Sequence, residues 1–167
     1  VYHTVSSKKT LFVQAPTGVG KTMSAIFPSV RAIGEGKGET LFYLTAKTIT
    51  GTVAWEAFHT LRENGLKFKV TAITAKEKLC FLDSPECTPE KCPYAKGHFD
   101  RVNDAVYELW TTEEVYSREV IRAHAEKWQV CPFEMCLDLS VWVDGVICDY
   151  NYAFDPNVHL KRSFGEN

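Results

Sequence analysis

No apolar run among the 167 residues approaches the ~20 that a helical membrane span needs. There is no charged-then-apolar leader with a cleavage site, no internal repeat and no low-complexity segment. No tight Cys-x-x-Cys pair occurs either, although a zinc ribbon normally shows two. Strong net charge is missing too: the balance is −2, so bulk electrostatics does not announce nucleic-acid binding. The chain opens on Val1 without Met, which leads us to expect a piece of a longer chain.

What is present is ordinary globular composition, 45% hydrophobic and 24% charged. That excludes a disordered, collagen-like or coiled-coil chain and fits one domain, or one domain with a large insertion. The charge is uneven. Residues 1–75 carry +5, residues 76–130 carry −3 and residues 131–167 carry −4. A nucleic-acid contact therefore has to rest on local groups in the first part.

Apolar periodicity divides the chain. Thr10–Ala15 (TLFVQA) reads as a buried strand, Lys21–Ile33 as a helix interrupted by Pro28, and Thr40–Leu44 as a second strand. Ile49–Asn64 reads as a helix and Phe68–Ile73 as a third strand. This is the order of a parallel sheet covered by helices. Lys76–Gln129 then breaks it with polar, acidic, cysteine-bearing sequence, with helices near Phe99–Trp110 and Ser117–Trp128. Asp144–Asp149 returns to a buried strand. The predicted class is α/β, a partial P-loop NTPase sheet. The parts are 1–75 and 137–167 as the α/β core and 76–136 as an inserted, mainly helical unit.

Ala15-Pro16-Thr17-Gly18-Val19-Gly20-Lys21-Thr22 has the form of a phosphate loop, between a predicted strand and a helix. Glycines let backbone amides turn inward around phosphate oxygens, and the following helix presents its positive end. Lys21 reaches the β/γ-phosphates and the Thr22 hydroxyl ligates Mg²⁺. The candidate nucleotide site is thus Pro16, Thr17, Gly18, Val19, Gly20, Lys21 and Thr22, with Lys21 and Thr22 in catalytic roles.

The six cysteines are Cys80, Cys87, Cys92, Cys131, Cys136 and Cys148. Beside a nucleotide motif and without a leader they point to a reducing cytosol, where clustered thiols bind metal more often than they form disulfides. Cys148 lies in a predicted strand and reads as a core thiol. Cys136 is a spare thiol or a competing ligand. Cys80, Cys87, Cys92 and Cys131 form the candidate set. Two of them lead into Pro-aromatic pairs (Cys92-Pro93-Tyr94, Cys131-Pro132-Phe133), where proline stiffens the turn. Four thiolates suit zinc or an iron–sulfur cluster, and spacing alone leaves the metal open.

Taken together the motifs resemble the iron–sulfur helicases of superfamily 2, the XPD/DinG group. The likeness is carried by APTGVGKT, by Leu44-Thr45-Ala46-Lys47-Thr48 after a strand, and by the Cys80/Cys87/Cys92/Cys131 insertion. It is carried also by Cys148-Asp149-Tyr150-Asn151-Tyr152-Ala153-Phe154-Asp155-Pro156. The resemblance implies a RecA-like motor domain with ATP, Mg²⁺ and a [4Fe–4S] cluster as cofactors. Thr45, Lys47, Thr48 and Lys76 would lie on DNA. It further implies a monomeric 5′-to-3′ motor on single-stranded DNA and forked duplex, serving repair or replication. Such a motor has no membrane and works in a bacterial, nucleoid-associated cytoplasm.

The sequence departs from that family in having no DEAH-type acidic box within these residues, and Leu137 stands where the family places a basic residue. This segment alone is therefore expected to bind nucleotide weakly and to hydrolyse none. A zinc-stabilised P-loop ATPase that is not a helicase, and a non-catalytic module with free thiols, are the alternatives. Among the remaining residues, His98 reads as a solvated loop residue and Glu113–Glu114 as a solvated face. Tyr94, Phe99, Tyr107 and Trp110 could stack bases, but helical spacing favours packing for most of them. Tyr150 and Tyr152 read as packing under the last strand.

Overall fold

The structure, a computed structural model, describes residues 1–46, 48–84, 86–155 and 160, the side chains of 48–50 excepted. It is mixed α/β, built on a three-stranded parallel sheet: β1 (Leu41–Thr45), β2 (Val70–Ala72) and β3 (Gly145–Asp149). The order is β1-β3-β2, so the last strand in the chain lies in the middle. Its register runs Leu41↔Gly145 to Thr45↔Asp149 on one side and Val70↔Gly145 to Ala72↔Ile147 on the other. A central parallel strand is covered on both faces and must be apolar throughout. Gly145, Val146, Ile147 and Cys148 are all buried.

Alternation along β3 assigns the faces. Ile147 packs with Ile26 and Val30 of α2 (Lys21–Gly34), Ala54 and Phe58 of α3 (Thr48–Glu63), and Phe68. Val146 and Cys148 point the other way, into a larger cluster. That cluster is supplied by α5 (His98–Thr112), α6 (Arg118–Trp128) and α7 (Pro132–Leu139) through Leu109, Ile121, Met135 and Leu139. The helices of residues 76–136 thus form the second covering layer of the sheet. Short helices complete the set: α1 (Tyr2–Ser6) against α2, α4 (Lys76–Leu79) against α7, and α8 (Asn151–Phe154) after β3.

Several sequence expectations need correction. Thr10–Ala15 is not a strand: it is irregular, and Leu11, Phe12 and Val13 are 48%, 93% and 67% exposed. A strand is held by a ladder to a neighbour, and no described strand pairs with this run. Pro28 neither ends nor shortens α2, which runs 14 residues, because buried Ile26 and Val30 anchor it on both sides of the proline. The run after β3 is α8 rather than an alternating extension. Tyr152 packs on the core, while Tyr150 is exposed and its ring lies 6.3 Å from that of Phe154.

Lys69, just before β2, ties the sheet to the helical layer. Its Nζ donates to the Trp110 carbonyl, to the Glu113 carbonyl at 3.1 Å and to the Tyr116 hydroxyl at 2.8 Å. It also lies 4.9 Å from the Trp110 ring centroid. Carbonyls left free at a helix C-terminus attract a cation, and Lys69 meets that requirement for α5.

Candidate functional site

The glycine loop runs along the surface into α2. Gly18 and Gly20 have φ of +82° and +75°, in the left-handed region that L side chains avoid. An added Cβ would meet nothing within 4 Å at either position, so the requirement is conformational. Gly20 caps α2 without any side-chain hydrogen bond, which leaves the first-turn amides uncovered by a side chain. Lys21 folds back over the loop, its Nζ donating to the carbonyls of Pro16 (2.6 Å) and Ala15 (3.1 Å). Pro16, Thr17, Gly18, Val19, Gly20 and Lys21 are exposed and Thr22 is half-buried. Left-handed glycines, first-turn amides without a side-chain cap and an exposed ammonium are the ingredients of an anion site.

The candidate thiols lie on the turns that flank α4, α5 and α7, and Cys87 and Cys131 both act on Lys76. Cys80 follows α4, and its sulfur accepts from the Leu82 amide at 3.4 Å. Cys131 caps α7, with Pro132 in the first helical position. Its own amide donates to Nδ1 of His98, the first residue of α5, at 3.2 Å. The Cys92 carbonyl accepts from the amides of Ala95 and Lys96, both at 3.1 Å, in the turn leading to α5. Lys76 joins the set by a hydrogen bond with Cys87, and the charge of Cys131 also acts on it; both hold its ammonium above the usual lysine range.

Two arginines fix the backbone around these turns. Arg122 Nη1 donates to the carbonyls of Leu79 (2.5 Å) and Cys80 (2.9 Å), with its guanidinium 4.5 Å from the Phe81 ring centroid. Arg101 donates to the carbonyls of Lys96 (2.9 Å), Trp128 (2.9 Å) and Gln129 (2.6 Å). Burial pushes the Cys131 thiol up, opposed by the amides of Glu134 and Phe133 at the start of α7.

All six cysteines are free thiols. Cys87 is exposed, Cys80 and Cys131 are half-buried, and Cys92 is buried. Among the described residues no three His, Cys, Asp or Glu side chains converge at metal-binding distance. Among the described residues the four sulfurs are therefore not gathered into one ligand set. Cys136 is fully buried, its Sγ 3.7 Å from the Ala72 carbonyl, and burial raises it to about 11. Cys148 is a core thiol on β3 raised by burial to about 12.

Of the candidate DNA residues, Thr45 is 6% exposed at the end of β1, which takes its side chain off the surface. Lys47 and the side chain of Thr48 lie outside the described residues. Lys76 is half-buried beside Cys87. His98 is buried rather than solvated, because its ring is the acceptor for the Cys131 amide. Phe99 and Tyr107 are 81% and 68% exposed, against the expectation of packing; they lie on the outer face of α5. Tyr94 does pack, with its ring centroid 4.6 Å from that of Phe81. Sequence reasoning missed Arg101 and Arg122, since no motif marks a side chain whose work is to hold distant carbonyls.

Comparison with protein-family models and with curated proteins finds no match to this chain. Among the described residues no helix is long and apolar enough to cross a membrane.

Proposed function

We propose that the chain is the nucleotide-gripping part of an ATP-dependent DNA helicase motor whose RecA-like sheet carries a [4Fe–4S] centre. The observation that carries the reading is the glycine loop: two left-handed glycines, an uncapped helix start, and Lys21 folded over both. Pro16–Gly20 would cradle the phosphates through backbone amides. Lys21 would exchange the Pro16 and Ala15 carbonyls for β/γ-phosphate oxygens, and Thr22 would take Mg²⁺. Cys80, Cys87, Cys92 and Cys131 would hold the cluster, with Lys76 offsetting part of their thiolate charge. Lys47, Thr48 and Lys76 would meet the DNA backbone. The cluster, when bound, would supply a rigid cross-link among four turns.

Calorimetric titration of Mg²⁺ and a non-hydrolysable ATP analogue tests the nucleotide part. Binding that is lost in Lys21→Ala, without turnover by the segment, is expected; no binding, or binding indifferent to Lys21, refutes it. Anaerobic reconstitution tests the cluster. A brown product absorbing broadly near ~400 nm supports iron–sulfur over colourless zinc, and a chain that takes up neither metal overturns the thiolate centre.

A further inference from the structure

A cleft of about 440 Å³ opens on the outer side of the helical layer, away from the glycine loop. Its walls are Asp104, Tyr107 and Trp110 from α5, Asp138 from α7, and Val141 and Trp142 from the turn before β3. Three features set it apart. Its aromatics are open to solvent: Tyr107 is 68% and Trp142 63% exposed. It holds two carboxylates and, among the described residues, no basic side chain. Two of its walls are tied together, because Trp110 Nε1 donates to the Trp142 carbonyl at 3.0 Å.

We propose that this cleft is a docking site for a basic protein segment, which it takes by stacking an arginine guanidinium on Trp142 and Tyr107 with Asp104 as counter-charge. The cation follows from the walls. Aromatic faces and carboxylates both attract positive charge, and an anion would meet two acids and no cation, with Asn103 and the Tyr107 hydroxyl as neutral donors. The charged residues lining the cleft agree, since both of them, Asp104 and Asp138, are acidic. The choice of guanidinium follows from the rings. The Trp110 and Trp142 centroids are 6.4 Å apart at 55°, too close for an alkylammonium to enter between them as in an aromatic cage. A flat ion can lie along the outer faces, and guanidinium both stacks and forks toward a carboxylate. Trp110 already meets one cation, Lys69, at 4.9 Å, and that charge is matched by the Trp110 and Glu113 carbonyls and the Tyr116 hydroxyl. This inference does not depend on the nucleotide reading.

The test is calorimetry on the whole chain with an octapeptide alternating Arg and Gly, its citrulline twin and its Lys twin. Citrulline keeps the shape and removes the charge. The Arg peptide should bind and weaken with added salt, and the citrulline twin should bind at least about tenfold more weakly. The Lys twin should also bind more weakly, since ammonium does not stack. Trp142→Ala and Asp104→Asn should each cost about fivefold or more, with unchanged circular dichroism because both side chains are exposed. Equal binding of the Arg and citrulline peptides would mean a merely apolar cleft. Equal binding of the Lys twin would remove the stacking geometry. No binding, binding untouched by both substitutions, or a dimer of this chain that Trp142→Ala dissolves would each overturn the proposal.

Discussion

Lys69 should be worth more to this fold than any other surface-reaching lysine. Its ammonium satisfies the Trp110 and Glu113 carbonyls and the Tyr116 hydroxyl, and touches two aromatic rings, at 4.9 Å and 5.4 Å. Lys69→Met keeps the length and removes the charge. A hydrogen bond to a charged group contributes about 1.5–3 kcal/mol, and three on one nitrogen do not add. The Tyr116 hydroxyl keeps one partner, donating to the Trp110 carbonyl at 3.1 Å, so the uncompensated loss falls mainly on Glu113. We expect a cost of about 3 kcal/mol, which lowers Tm by roughly 6–12 °C in a domain of this size. Urea unfolding followed by circular dichroism and by tryptophan emission measures it. Lys67→Met, at an exposed position on the same segment, should stay within about 0.5 kcal/mol. A cycle with Tyr116→Phe should return a coupling of about 1 kcal/mol. If Lys69→Met also stays within about 0.5 kcal/mol, the tie between sheet and helical layer is ornamental. Two separated transitions would show that residues 76–136 unfold on their own.

Three further outcomes follow from local geometry. Gly145→Ala puts a Cβ 2.9 Å from Phe68 Cε1 and 3.3 Å from Val70 Cγ2, and Phe68 is held by a stack on Phe58 at 5.8 Å, so we expect about 1–3 kcal/mol of destabilisation in urea. Gly20→Ala meets no atom but carries φ +75°, so about 1–2 kcal/mol of backbone strain should weaken binding of the Mg²⁺–ATP analogue by about 5–30-fold while circular dichroism stays unchanged. The third concerns alkaline pH. Burial raises Cys136 to about 11 and Cys148 to about 12 from 9.0, so the unfolded chain loses these protons first. Stability from this source is full below pH 9 and lost as pH rises through 11 and 12, at most about 3 kcal/mol for Cys136 and about 4 kcal/mol for Cys148. Cys136→Ala should flatten the fall between pH 9 and 11, read by urea midpoints; an unchanged slope would refute the assignment.

The elements that were legible are those whose packing is written in their own periodicity. β1, β2, β3, α2, α3, α5 and α6 lie within a few residues of the expected spans, because each carries an apolar stripe or run of its own. Thr10–Ala15 carries such a run and still forms no strand, since a ladder needs a neighbour and the run cannot announce one. Proline misled in α2 for the opposite reason: Ile26 and Val30, buried on α3, outweigh one missing amide. At the candidate site the loop glycines were legible because positive φ leaves a residue-type signature. The clamps were not, because Arg101, Arg122 and His98 act on carbonyls and amides of residues 5 to 43 positions away.

Those clamps bear on what the thiol neighbourhood is for. A packed core needs no charged group to hold the carbonyl of Cys80, since burial of the side chain would suffice. Here Cys87 is exposed and Cys80 only half-buried, so burial contributes little to placing them. Placement falls instead on backbone bonds: Arg122 on Cys80, His98 on Cys131, and Arg101 on the Lys96 carbonyl of the turn after Cys92. Lys76 acts on the side chain itself, at Cys87. Holding the backbone of these turns by polar side chains is the kind of outer support that orients ligands around a metal. Free thiols without such a task would more economically be buried, as Cys136 and Cys148 are. The contrast is confined to Cys80, Cys87 and Cys131, since Cys92 is buried as Cys136 and Cys148 are. On the proposed reading of a thiolate centre, Arg122→Gln should leave the sheet and the glycine loop intact, by circular dichroism and nucleotide binding, and lower the iron taken up in anaerobic reconstitution.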